Sequence, residues 1–249
     1  MRWISVFAAV CLFSISPWLA AQESLPADTT VPVMLTSSIT SDTHPDQAVS
    51  ARVMQAVSVG PNLIIPAGAK VVGRVLERKT ASQQGSQISL RFDRILAKNR
   101  EFLAPLSLRA IASHMEVNDA QTPKTGPDEG TSSYSWTTVQ VGGEVRYGTG
   151  WPVMEGDTVM GKGVPDGVLA RLSAPPGSAC AEGSRNTNQL QSLWVFSSGA
   201  CGVYGFADIQ IQQSGRTAPL GEIVLTSSGN TLKLPSGTGL LLQVIGGTR

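Results

Sequence analysis

The sequence predicts an all-β protein, with one or two small antiparallel β-barrel or sandwich modules joined by a flexible loop. Three observations predict this class. Only 15% of the 249 residues are charged, while 26 are Gly and 15 are Pro, which is a turn-rich composition. Short apolar runs rich in β-branched residues recur between the turns. No stretch shows the apolar period of a long amphipathic helix.

The first residues have the three parts of a secretory signal peptide. Arg2 supplies a positive charge, residues 4–15 form an almost uninterrupted apolar run, and small residues precede Gln22. The run is shorter than the roughly 20 apolar residues that a membrane-spanning helix needs. We therefore expect a signal peptide at residues 1–21, cut after Ala21 or, as a rival, after Ala20. The mature chain would have no transmembrane segment and would be periplasmic or secreted.

Export would change the net charge of the chain and the chemical environment of its cysteines. Removing residues 1–21 takes away one Arg and no acidic residue, which leaves 18 basic and 18 acidic residues. A neutral chain without a run of Lys and Arg gives no electrostatic reason to expect nucleic acid as a partner. Cys180 and Cys201 remain, and two cysteines in an oxidising compartment most simply form a disulfide. Closing this loop would add about 3 kcal/mol of stability.

Residues 28–117 are predicted to form a first β module. Pro66 and Gly68 suit a tight turn, because Pro presets one dihedral angle and Gly tolerates positive φ. Residues 88–95 alternate between apolar and polar, as a half-buried antiparallel strand does. The apolar face of this strand would comprise Ile88, Leu90, Phe92 and, after a slip in register, Ile95. Strands are predicted at residues 31–39, 48–59, 63–65, 71–76 and 88–95, and a strand pair is predicted at residues 102–111.

Residues 118–133 contain Pro and Gly among polar residues, without apolar periodicity, and are predicted to be a mobile linker or long exposed loop. A second, Gly-rich β module is expected at residues 134–247. Its strands are predicted at residues 137–141, 167–172, 193–196, 203–212, 222–226 and 240–244. The sequence leaves open whether the two modules fold separately or interleave.

Four motifs of the first module resemble one known family. Residues 31–35 read VPVML, residues 47–53 read QAVSARV, residues 62–73 read NLIIPAGAKVVG and residues 87–95 read QISLRFDRI. In this order they resemble the β-domain of TrbI-type conjugative-transfer proteins, the scaffold component of type IV secretion channels. The resemblance covers residues 31–108, roughly a third of the chain.

The resemblance implies a related β-domain in the envelope of a bacterium. TrbI-type scaffolds are anchored in the inner membrane and carry a long Pro-rich spacer, whereas this chain has a cleavable signal followed almost at once by its β module. It therefore implies a structural or interaction role with other envelope proteins rather than a channel. The oligomeric state is left open.

No catalytic motif accompanies these features. The two histidines, His44 and His114, are far apart in sequence, and lone histidines in turns and at strand ends are usually solvated. No nucleophile elbow, zinc-protease motif or phosphate loop is present. Arg91 and Asp93 are expected to form an ordinary exposed ion pair on one face of a strand. We therefore expect no catalytic residues, no metal site and no cofactor.

Aromatic residues concentrate in the second module, and they have two alternative roles. Trp136, Trp151 and Trp194 either fill a core or form an exposed face that stacks on sugar rings or binds a protein. Our main prediction is an exported envelope protein with a structural or interaction role. One alternative is a carbohydrate- or peptide-binding module that uses these tryptophans. A second alternative is an exported enzyme of unrecognised type.

Overall fold

Nearly all of the regular structure is β-strand, so the all-β prediction is confirmed. A computed structural model describes residues 23–82, 85–98, 100–121, 137–146, 152–173 and 187–246. Within these ranges the elements are β1 (Glu23–Ser24), β2 (Thr30–Leu35), β3 (Ile39–Thr40), β4 (Ala48–Val53), β5 (Val57–Gly60), β6 (Leu63–Ile65), β7 (Lys70–Ser82), β8 (Gly85–Ala97), β9 (Arg100–Leu103), β10 (Leu106–Ala112), α1 (His114–Gln121), β11 (Thr137–Gln140), β12 (Gly143–Arg146), β13 (Pro152–Glu155), β14 (Thr158–Val164), β15 (Gly167–Leu172), β16 (Thr187–Ser192), β17 (Gly202–Tyr204), β18 (Ile209–Ser214), β19 (Ile223–Ser227), β20 (Lys233–Leu234) and β21 (Gly239–Val244).

The largest sheet curls into a nearly closed barrel. Its strand order is β1-β9-β8-β7-β4-β2-β21-β10-β17, and β19 adds to β8 while also pairing with β18. The barrel interior is apolar because inward side chains alternate with outward ones along each strand. The largest fully buried side chains inside it include Phe92, Phe102, Leu35, Ile65 and Leu106.

The two ends of the chain meet in this sheet. Strand β21 lies between β2 and β10 and is antiparallel to both, with Leu240 opposite Val33 and Leu242 opposite Leu108. The strands of residues 202–244 therefore complete the sheet that begins with residues 23–112. The sequence left open whether its two modules interleave, and in this sheet the strands from both are interleaved.

A second sheet contains β11 to β16 in sequential order, each strand antiparallel to the next. It packs on the outer face of β21 and β10. Leu241 and Ala110 of the barrel share a buried cluster with Trp194, Phe196 and Val168. Gly239 permits this approach, because a Cβ there would lie 3.4 Å from Trp194 Cζ3 and 2.8 Å from Val117 Cγ2.

A slip in register along β8 occurs where the sequence predicted one. Gly73 lies opposite Phe92, whereas Val72 lies opposite Arg94, so Asp93 is an extra residue on β8. Because of this bulge, Ile95 turns inward and is fully buried. The prediction that Ile95 joins the apolar face after a slip is confirmed.

Five predicted elements differ in the structure. Residues 193–196 are not a strand: β16 ends at Ser192, and Trp194 has φ of +52°, which a strand cannot accommodate. The strands predicted at residues 31–39, 48–59 and 203–212 are each interrupted, and they form β2 and β3, β4 and β5, and β17 and β18. Residues 118–121 continue helix α1, whose first turn is capped by Ser113 Oγ accepting from the Glu116 N–H at 3.3 Å.

The rest of the predicted linker lies outside the described residues. In the part of the chain that the structure describes, no helix is both long and apolar enough to cross a bilayer.

Candidate functional site

The three tryptophans predicted for ligand binding are not all within the described ranges. Trp136 and Trp151 lie outside them, so their role stays a prediction. Trp194 is only 4% exposed, and its ring packs edge-on against Phe196 with a centroid distance of 6.4 Å. Of the two alternatives considered for Trp194, the structure therefore favours the core role, because its ring offers no open face to a sugar.

The predicted disulfide joins one described and one undescribed residue. Cys201 is buried, and Tyr204 holds its backbone: the Cys201 N–H donates to the Tyr204 hydroxyl at 2.8 Å, and that hydroxyl donates to the Cys201 carbonyl at 3.0 Å. Cys180 lies outside the described residues. The Cys180–Cys201 bridge stays a prediction.

Both histidines are exposed and lie in different elements. His44 is in the turn before β4, and His114 begins α1. The His114 ring covers Gly237, where an added Cβ would lie 2.8 Å from His114 Cδ2. A groove of about 330 Å³ opens here, lined by Met34, His114, Val117, Asn118, Gln121, Ser236 and Gly237. No group of three potential metal ligands occurs in the described part of the chain.

A cluster of positive charge occupies the outer surface of the barrel. We call it the basic face, and it consists of Arg52 on β4, Lys70 and Arg74 on β7, and Arg91 and Arg94 on β8. Arg91 is half-buried, and the other four side chains are exposed. Their inward neighbours on the same strands fill the barrel core, so strand alternation directs all five outward.

Strand pairing brings like charges directly together on the basic face. Arg52 lies opposite Lys70 across β4 and β7, and Arg74 lies opposite Arg91 across β7 and β8. Side chains at such positions have Cβ atoms about 5 Å apart, and like charges there destabilise a sheet. The basic face therefore contains two cross-strand pairs that repel.

Nearby carboxylates do not neutralise these pairs. Among the described residues, Arg52, Lys70, Arg74 and Arg91 have no carboxylate within 4.0 Å. Arg94 is different, since its guanidinium lies 3.6 Å from Asp93 and 4.0 Å from Glu101. The predicted Arg91–Asp93 pair is thus wrong: the bulge at Asp93 places this carboxylate beside Arg94 instead.

Apolar side chains lie between the charges. Val72 on β7 lies opposite Arg94 on β8, and Arg94 also lies opposite Leu103 on β9. Leu96 on β8 lies opposite Lys70 on β7. Val72 and Leu96 are half-buried, and Leu103 is 39% exposed. The outward positions of β4, β7 and β8 that define this surface include no aromatic residue. The basic face is thus a mixed surface of guanidinium groups and aliphatic side chains.

Sequence reasoning missed the basic face because the total charge conceals it. The whole chain has a formal net charge of only +1, and the basic residues come from three segments between residues 52 and 94 that are not adjacent in sequence. The sequence alone shows the alternation of inward and outward residues within each strand. The pairing of Arg52 with Lys70 and of Arg74 with Arg91 can be known only from the strand order and the register.

A separate buried cation, Arg109, links the barrel to the second sheet. It is the extra residue of a bulge on β10, between Leu108 and Ala110. Its Nε donates to the Ala200 carbonyl at 3.0 Å, and a terminal nitrogen donates to the Ser173 carbonyl at 3.2 Å. Burial lowers the pKa of Arg109 to about 10, the nearby positive charge of Arg216 adds to the decrease, and Tyr204 opposes it.

Comparison with known proteins gave one structural match. No protein-family model and no curated protein matches the chain. Among solved structures, the chain is similar to ComB10 of the Com type IV secretion system of Helicobacter pylori, with 14% sequence identity and a TM-score of 0.31. The similarity covers 88% of this chain and 86% of ComB10.

Proposed function

We propose that the chain is an exported bacterial cell-envelope protein with a structural or interaction role, and that it docks a partner through the basic face. The observation that carries the proposal is the presence of two like-charged cross-strand pairs that no carboxylate neutralises, Arg52 with Lys70 and Arg74 with Arg91. These contacts disfavour the isolated chain, whereas an anionic partner would convert the repulsion into attraction.

Protection of a sheet edge does not account for these charges. Natural proteins often place Lys and other charges on edge strands to prevent aggregation. Strands β4 and β7 are interior strands, because β4 pairs with β2 and β7, and β7 pairs with β4 and β8. The charges therefore need another explanation, and a binding partner supplies one.

The envelope location rests on the sequence. The signal-peptide pattern of residues 1–21 supports export, and the resemblance of residues 31–108 to TrbI-type β-domains implies a place in the envelope. The proposed role is binding rather than catalysis, and it assigns no chemistry to His44 or His114. The burial of Trp194 disfavours the alternative in which its ring stacks on a sugar.

Site-specific photo-crosslinking in cells tests the proposal. A benzoylphenylalanine at Val72, within the basic face, should crosslink to a discrete partner. The same group at Val159, which is 55% exposed on the second sheet, is the matched control and should not. Affinity purification from detergent-solubilised envelope should give a native mass above that of the monomer. A monomer without crosslinks from Val72 would contradict the proposal.

A further inference from the structure

We infer that the basic face binds an acidic protein surface, and that each like-charge pair receives one carboxylate of the partner. This inference rests on the proposed function and specifies the chemistry of the partner. The two receiving positions are the Arg52–Lys70 pair and the Arg74–Arg91 pair.

The spacing of the two pairs defines what the partner must present. Lys70 and Arg74 are four residues apart on β7, which corresponds to about 13 Å along a strand. Two basic side chains whose Cβ atoms lie about 5 Å apart can both reach one carboxylate placed between them. The partner therefore needs two acidic groups about 13 Å apart, a separation that residues four apart on its own strand would match.

Arg91 supplies an independent sign of a missing partner. Its Nε is buried and makes no hydrogen bond, and the whole half-buried side chain has no hydrogen-bond or ion-pair partner among the described residues. An Nε–H group withdrawn from water without an acceptor is unfavourable. A partner carboxylate at the terminal nitrogens of Arg91 would provide charge-assisted hydrogen bonds that the isolated chain lacks.

The composition of the basic face favours a protein over other anionic surfaces. Four of its five cations are Arg, which is enriched in protein interfaces and pairs with carboxylates through two parallel hydrogen bonds. Val72, Leu96 and Leu103 add apolar area between them. A site that inserts into a membrane carries aromatic anchors, and a single-stranded nucleic-acid site carries stacking rings. The outward positions of β4, β7 and β8 have neither.

Binding of defined anions to the purified protein tests the inference. The probes are poly-L-glutamate, phosphatidylglycerol vesicles, duplex DNA and inorganic phosphate. Poly-L-glutamate should bind at low salt and weaken as salt rises. The double variant Lys70→Glu/Arg74→Glu should reduce this affinity by at least about 10-fold, a change equal to roughly 1.4 kcal/mol. The matched control, Lys162→Glu/Lys233→Glu, has the same charge change outside the basic face and should bind as the wild type does.

The natural partner provides a second test. The peptide crosslinked from Val72 should contain Asp or Glu, and changing those acids to Lys should abolish the complex. Combining the partner variant that carries these Lys residues with the Lys70→Glu/Arg74→Glu protein should restore the complex. Preferential binding of vesicles, DNA or phosphate over poly-L-glutamate would overturn the inference. A complex crosslinked from Val72 that none of these charge changes weakens would also overturn the inference, but it would leave the proposed function standing. The absence of any complex would overturn the proposed function itself.

Discussion

The side chain of Gln55 accepts a hydrogen bond from the backbone N–H of Trp194 at 2.6 Å, although the two residues are 139 positions apart. The same amide donates from Nε2 to the Val168 carbonyl at 2.9 Å. Gln55 follows β4 of the barrel, whereas Val168 belongs to β15 of the second sheet. One buried side chain thus satisfies two backbone groups of the second sheet region and attaches it to the barrel.

Replacing Gln55 with Leu should destabilise the protein by about 1–3 kcal/mol, the usual cost of one buried backbone group that loses its hydrogen bond. The change leaves the Trp194 N–H without its acceptor, whereas the Val168 carbonyl still accepts from the Leu193 N–H at 3.1 Å. Urea unfolding followed by circular dichroism measures the effect. The matched control is Gln47→Leu, because Gln47 is exposed, and its free energy of unfolding should change by less than about 0.5 kcal/mol. Equal effects at both positions would contradict the role of Gln55.

Truncating Trp194 to Ala should cost about 3–5 kcal/mol, as expected for removal of a buried aromatic side chain. The ring fills the space above Gly239 and packs against Phe196. Differential scanning calorimetry should show a lower melting temperature for this variant. If Trp194→Ala lost glycan binding only because the protein unfolded, that loss would not show that the Trp194 ring stacks on a sugar. A variant as stable as the wild type would contradict the core assignment.

Gly73 should not tolerate a methyl group. A Cβ at Gly73 would lie 2.2 Å from the Arg91 carbonyl oxygen and 2.7 Å from Phe92 Cδ1, beside the bulge on β8. Gly73→Ala should therefore cost about 1–3 kcal/mol through overpacking. Gly60→Ala is the control, because its nearest neighbour would be Leu63 Cβ at 3.8 Å. Chemical denaturation should separate the two variants, and equal midpoints would contradict the close approach.

Lys70→Glu should stabilise the isolated chain while it weakens partner binding. The substitution converts the like-charge pair with Arg52 into an opposite-charge pair, which contributes about 0.2–1 kcal/mol on an antiparallel sheet. Lys233→Glu has the same charge change opposite Thr40 and should have no such benefit. Urea midpoints at low salt measure the difference. A Lys70→Glu variant less stable than the wild type would argue against repulsion between Arg52 and Lys70.

Local pattern was enough to predict the class of the fold and much of its strand content. The alternation at residues 88–95 even indicated the slip that returns Ile95 to the core, because the apolar period breaks there in the sequence itself. By contrast, residues 193–196 are apolar and resemble a strand, yet they form a buried turn with Trp194 at positive φ. Partners distant in sequence, such as Gln55, hold that turn, and single-segment patterns do not contain them.

The basic face illustrates the same limit for function. Each of its strands reads as an ordinary half-buried strand with polar residues outward, and the overall charge balance argues against an electrostatic site. The site arises only when β4, β7 and β8 are placed side by side in one register. Neither the pairing of Arg52 with Lys70 nor that of Arg74 with Arg91 follows from sequence spacing.

The lowered pKa of Arg109 makes one contribution to stability depend on pH in a defined direction. In the unfolded chain the guanidinium keeps its ordinary, higher pKa, whereas burial in the folded protein lowers the pKa to about 10. Below the folded value both states are protonated, so the unfavourable effect of burying the charge is constant. Between the two values the unfolded state binds more protons, so the contribution of Arg109 becomes less unfavourable as pH rises.

The variant Arg109→Met isolates this effect. The free energy of unfolding of the wild type minus that of the variant should be unchanged between about pH 7 and pH 9, and should shift in favour of the wild type towards about pH 11. Titrating groups that do not interact with Arg109 are common to both proteins and cancel in the difference. Urea unfolding at each pH measures it, and a difference that stays flat up to about pH 11 would show that Arg109 keeps an ordinary pKa in the folded protein. Because Arg109 also donates to the Ala200 and Ser173 carbonyls, the size of the constant difference near neutral pH reports how far those bonds offset the burial of the charge.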